Sequence, residues 1–103
     1  MTDDAALLAA AAGGAFRRSF GAVLEIAPDG LAPFYVDGRA EPCCLAAEPP
    51  QGSPAACVWR ASGETLLRIF HGGRVLESAY LSGRLKISGD MSVMARLVLE
   101  SAP

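Results

Sequence analysis

The run Ser82-Gly83-Arg84-Leu85-Lys86-Ile87-Ser88-Gly89-Asp90-Met91-Ser92-Val93-Met94-Ala95-Arg96-Leu97 sets the tightest limits on what this chain can fold into. Arg84, Lys86 and Ser88 alternate with Leu85 and Ile87, the two-residue period of a strand with one buried face. Gly89 supplies a turn that a residue carrying a Cβ would resist. Asp90 follows where a carboxylate can accept the first backbone N–H groups of a helix. From Met91 to Leu99 only Ser92 and Arg96 are polar. A helix resting on a sheet needs an apolar face only about 100° wide, and this one has more. Two arrangements meet that requirement: burial in a core, or a wall shared between core and cavity.

The rest of the chain supplies the other elements. Residues 3 to 20 predict a helix, capped by Thr2 or Asp3, with Phe16 and Phe20 as an i,i+4 aromatic pair and Gly13-Gly14 as a weak point. From Gly21 the period changes. Val23, Leu24 and Ile26 form a strand that ends at the Pro28-Asp29-Gly30 turn, and Pro33-Phe34-Tyr35-Val36 forms a second. Asp37-Gly38 predicts a tight hairpin leading to a third strand over Arg39 to Ala47, with Pro42 at an edge or bulge. A proline-rich loop from Glu48 to Pro54 precedes a fourth strand, Ala55 to Ala61. Ser62 caps a helix carrying Leu66, Leu67, Ile69 and Phe70, which His71-Gly72-Gly73 ends. A short helix from Arg74 to Leu81 pairs Leu76 with Tyr80. This order predicts an α+β domain with helices layered on a mostly antiparallel sheet.

Size and charge narrow the function classes. A chain of 103 residues makes one domain, 1–103, and 51% apolar residues against 19% charged allow a core. The net charge is −2 and no dense Lys/Arg run is present, which argues against nucleic acid as a partner. The Ala5 to Ala12 run follows acidic residues and is far short of the ~20 residues a membrane span needs. Cys43, Cys44 and Cys57 are odd in number and irregular in spacing, so a reducing cytoplasm is the expected setting.

The segment from Trp59 to Leu97 resembles the sterol carrier protein 2 (SCP2) family. The residues that carry the resemblance are Ala61-Ser62-Gly63-Glu64-Thr65-Leu66 and Ala79 through Asp90. The family pattern G-[KR]-L-K-[IV]-x-G-[DN] is met at Gly83, Arg84, Leu85, Lys86, Ile87, Gly89 and Asp90. The resemblance implies a five-stranded sheet covered by helices and an apolar tunnel for a fatty acid, acyl-CoA, sterol or isoprenoid, with no catalytic residue and no cofactor. The lining expected here is Phe34, Phe70, Tyr80, Leu85, Ile87, Met91, Met94, Leu97 and Val98; methionines suit a wall that must fit variable chains. The alanine and arginine bias looks bacterial, and the chain lacks a peroxisomal Ser-Lys-Leu ending.

Other chemistry is thinly supported. Cys43, Cys44, Cys57 and His71 are zinc-type ligands without zinc-type spacing, so no metal site is expected. No G-x-S-x-G elbow is present, and the chain reads as non-enzymatic. Gly72-Gly73-Arg74 could meet an anion such as a CoA phosphate, or simply stop a helix. The expected partner is a hydrophobic small molecule, with transient membrane or enzyme contact and a homodimer left open. The alternative is an interaction or accessory module, for example in isoprenoid quinone biosynthesis, with the terminal helix at a partner or dimer interface.

Overall fold

A computed structural model of the chain describes residues 4–16, 18–39, 43–48, 55–71 and 75–96. Its first helix, α1 (Asp4–Ala15), runs unbroken through Gly13-Gly14, where a helix of alanine neighbours tolerates both glycines. It stops earlier than the sequence predicts. The backbone N–H groups of Phe20 and Gly21 both donate to the Gly38 carbonyl, at 2.9 Å, so this stretch cannot continue helical bonding. Gly38 in turn donates to the Ala22 carbonyl at 2.9 Å. A Cβ on Gly38 would overlap the Phe20 ring, which is why the position is glycine. Gly38 is therefore a docking point for the segment after α1, not half of a tight hairpin turn.

Strands β1 (Val23–Pro28) and β2 (Phe34–Asp37) pair antiparallel, with Leu24 opposite Val36 and Ile26 opposite Phe34. β3 (Cys44–Ala46) is shorter than expected and sets Leu45 opposite Val36. The predicted bulge or edge at Pro42 lies outside the described residues. β4 (Cys57–Ala61) pairs with β1 in parallel, Leu24 facing Cys57 and Ile26 facing Trp59. β5 (Lys86–Gly89) closes the other edge antiparallel to β4. The five strands lie in the order β3-β2-β1-β4-β5. The sheet is thus mixed: three antiparallel pairs surround one parallel pair at its centre. A parallel pair needs a long crossover, and here β2 and β3 are part of that connection.

The register puts Leu45, Val36, Leu24 and Cys57 in one cross-strand row, and Phe34, Ile26, Trp59 and Ile87 in the next, on the same face. Helices α1, α2 (Gly63–His71) and α3 (Val75–Leu81) complete the core, with Leu8, Ala12, Leu66, Ile69, Phe70 and Ala79 buried. On the opposite face, Glu25 lies across from Tyr35, whose phenol is pushed up by burial and by the Glu25 carboxylate. A short helix, α4 (Ser92–Arg96), follows β5. The predicted extension of that helix to Leu99 lies outside the described residues.

The predicted caps at Ser62 and Asp90 form, while the one at Thr2 or Asp3 lies outside the described residues. The Thr65 N–H donates to Ser62 Oγ at 3.1 Å at the start of α2. The Ser92 N–H donates to Asp90 Oδ1 at 2.9 Å at the start of α4, and the Ser92 hydroxyl donates to the same oxygen at 2.6 Å. Gly89 holds φ +97°, and a Cβ there would lie 2.5 Å from the Ala56 carbonyl oxygen. The same oxygen accepts the Asp90 N–H at 2.7 Å. The turn therefore presses onto β4, and only glycine fits.

Candidate functional site, an apolar cleft at the mouth of the core

Between α1, the β1–β2 turn and the first turns of α2 lies an open cleft of about 530 Å³. Leu8, Asp29, Gly30, Leu31, Gly63, Glu64 and Leu67 line it. Each apolar lining residue arrives for a local reason. Leu8 points inward from an alanine-rich helix whose small side chains let it approach α2. Leu31 follows the Pro28-Asp29-Gly30 turn, closed by the Leu31 N–H donating to the Pro28 carbonyl at 3.2 Å. Leu67 is one turn into a helix started by Ser62. Leu8 belongs to the buried core while Leu31 and Leu67 pack against it half-buried, so the cleft floor is continuous with the interior. Asp29 and Glu64 put carboxylates at its rim. The volume falls within the ~300–1,000 Å³ typical of small-molecule sites.

The interior behind this cleft is aromatic. Phe16 sits at the centre, its ring centroid 6.1 Å from Phe20, 5.8 Å from Trp59 and 5.7 Å from Phe70. Among the described residues no charged or polar side chain is buried. The Trp59 indole is fully buried, and its Nε1–H donates to Met94 Sδ at 3.2 Å, tying α4 to the sheet. Burial pushes the Cys57 thiol up, as expected of a small apolar-like side chain. Cys43 donates its thiol to the Arg18 carbonyl at 3.2 Å, and Cys44 is exposed on β3. Among the described residues no three His, Cys, Asp or Glu side chains gather as a metal site would require. No described helix is long and apolar enough to cross a membrane.

The expected lining residues separate into three groups. Phe70 and Leu85 are buried in the core, and Phe34, Ile87 and Met94 pack against it half-buried. Tyr80 and Met91 are each 44% exposed. Leu97, Val98 and the Gly72-Gly73-Arg74 linker lie outside the described residues. None of the seven described side chains lines the cleft. Leu8, Leu31 and Leu67, which do, were not singled out from the sequence.

A mixed five-stranded sheet with helices on its apolar face, and a cleft opening between two of those helices, defines a small α+β domain with a ligand-sized opening walled by leucines and rimmed by carboxylates. The chain belongs to the SCP-2 sterol transfer family, whose family model matches residues 4–98. This is a family of lipid-binding and transfer domains, usually non-enzymatic. No curated protein sequence is significantly similar to the chain. Among solved structures, it is similar to a UbiJ-SCP2 ubiquinone synthesis protein, at 18% identity and a TM-score of 0.66, over 90% of this chain and 87% of that one. It is also similar to apo sterol carrier protein 2 from Yarrowia lipolytica, at 16% identity and a TM-score of 0.60, over 77% and 70% of the two chains. Sterol carrier protein 2 like 2 from Aedes aegypti matches at 16% identity and a TM-score of 0.55, over 89% and 86%. At these identities the likeness establishes the fold.

Proposed function

We propose that the chain binds a hydrophobic lipid non-covalently and carries or presents it, without catalysing a reaction. The observation that supports this most directly is the cleft walled by Leu8, Leu31 and Leu67 in a member of a lipid-binding family. Its floor adjoins a core without a buried charge among the described residues, so an acyl or isoprenoid chain that passes the Asp29 and Glu64 carboxylates meets the apolar side chains of Leu8, Leu31 and Leu67. In this reading Phe34, Phe70, Leu85, Ile87 and Met94, in the core or packed against it, form the inner wall behind the cleft. Selectivity then follows chain length and shape, and a fatty acid, acyl-CoA, sterol or isoprenoid are the classes to try. A cytoplasmic, bacterial setting belongs to the same proposal, supported by the cysteine pattern and the alanine and arginine bias. Native mass spectrometry of freshly purified protein should detect co-purified lipid, and a fluorescent fatty acid should bind and be displaced. Protein that is consistently empty and takes up no probe would remove the proposal.

A second reading makes the domain an accessory module that docks on an enzyme or a second copy. It is favoured by Leu81, 75% exposed beside half-exposed Tyr80 at the end of α3, an apolar pair with no core to serve. Sedimentation of the protein over a concentration series separates the two readings: lipid-binding monomer supports the first, and self-association lost in Leu81→Ser supports the second.

A further inference from the structure

On the other side of Glu64 from the cleft, α2 faces a groove of about 260 Å³ lined by Glu64, Thr65, Arg68 and Arg84. A smaller recess of about 60 Å³, lined by Thr65, Arg68, Ser78, Ala79 and Arg84, shares three of those residues. Two arginines and two hydroxyl-bearing residues, from α2, α3 and the turn before β5, thus line one continuous stretch of surface. These elements are distant in sequence, so the grouping is a product of the fold and not of a charged run. Arg68 donates from Nη2 to Glu64 Oε1 at 3.0 Å, which leaves other guanidinium N–H groups available. Ser62 Oγ donates to Thr65 Oγ1 at 3.0 Å, so the Thr65 hydroxyl hydrogen is not used in that bond. The cleft, by contrast, has Asp29 and Glu64 at its rim and neither arginine nor lysine among its lining residues.

We propose that this groove, built from Arg68, Arg84, Thr65 and Ser78, holds a phosphate-type anion as the headgroup of an amphiphile whose chain lies in the neighbouring cleft. The inference rests on the lipid-binding reading for its chain and on the groove for its head. Glu64 stands between the two sites, and as the resident carboxylate on Arg68 it competes with the incoming anion. Removing it should strengthen headgroup binding, whereas removing either arginine should weaken it.

The test is displacement of a neutral fluorescent lipid probe by dodecyl phosphate, dodecanol and inorganic phosphate, each amphiphile below its micelle concentration. Dodecyl phosphate should bind several-fold tighter than dodecanol, with an advantage that shrinks as salt is added. Arg84→Gln and Arg68→Gln should each lower that advantage about two- to fivefold, the scale of an exposed ion pair. Glu64→Gln should raise it, and dodecanol binding should stay the same in the two arginine variants, neither of which lines the cleft. Equal affinity for the two amphiphiles, or an advantage that survives Arg68→Gln/Arg84→Gln, overturns the inference while leaving the lipid-binding reading standing. Failure of dodecanol and dodecyl phosphate alike would remove both. Displacement by inorganic phosphate as effective as by dodecyl phosphate would overturn the headgroup assignment.

Discussion

Asp37 and Arg39 illustrate how a surface pair can be tight without carrying much stability. Arg39 Nε donates to Asp37 Oδ1 at 2.8 Å and Nη2 to Oδ2 at 2.7 Å, a two-bond fork. Those hydrogen bonds hold the Asp37 carboxyl at about 2, below the ordinary 3.8 of an aspartate. A depressed carboxylate contributes its stability fully above the unfolded value and loses it as pH falls toward the folded one. The pair should therefore weaken between about pH 4 and about pH 2, by a small amount because Arg39 is well exposed. Urea midpoints should show this acid-side loss in the wild type and a smaller one in Arg39→Ala. Gly89 is a stronger constraint. Its positive φ and the approach of the Ala56 carbonyl act together, so Gly89→Ala should cost about 2 kcal/mol or more, read as a lower Tm.

At the scale of elements, Phe16 is the joint between α1, β4 and α2, since its ring meets Phe20, Trp59 and Phe70. Phe16→Ala should cost about 3–5 kcal/mol, measurable by denaturant unfolding. Asp90→Ala should cost about 1 kcal/mol through loss of the α4 cap. Much of this level was legible in the sequence. Alternation identifies β5, apolar residues bounded by turn and loop signals identify β1 and β4, and side-chain chemistry identifies Ser62 and Asp90 as caps, because these features depend on near neighbours. The end of α1 was not legible, since it is decided by Gly38 accepting from Phe20 and Gly21 across a sequence gap. Nor was the parallel pairing of β1 with β4, because strand direction leaves no mark on a strand's own residues. The cleft was missed for a related reason: leucines at positions 8, 31 and 67 each look like ordinary core residues until the fold gathers them.

For the whole molecule, the proposed division of labour is a filled aromatic interior with an open mouth beside it. Leu67→Trp should occlude the mouth while keeping its apolar character. Lipid-probe affinity is then expected to fall several-fold with little change in Tm, since the residue is only half-buried and faces open space. Unchanged probe binding would argue that the chain enters elsewhere.

The central parallel pair also bears on how the protein is made. Leu24 and Ile26 find their partners on β4 only at Cys57 and Trp59, after β2, β3 and the long connection have been synthesised. Until then β1 has a neighbour on one side alone, and its other edge is an open row of backbone donors and acceptors flanked by apolar side chains. Such an edge is a template for pairing with another chain. A growing polypeptide that has passed Asp37 but not reached Ala61 is therefore the species most exposed to aggregation on the ribosome. Docking of β4 closes that edge, and β5 later covers the other side of β4.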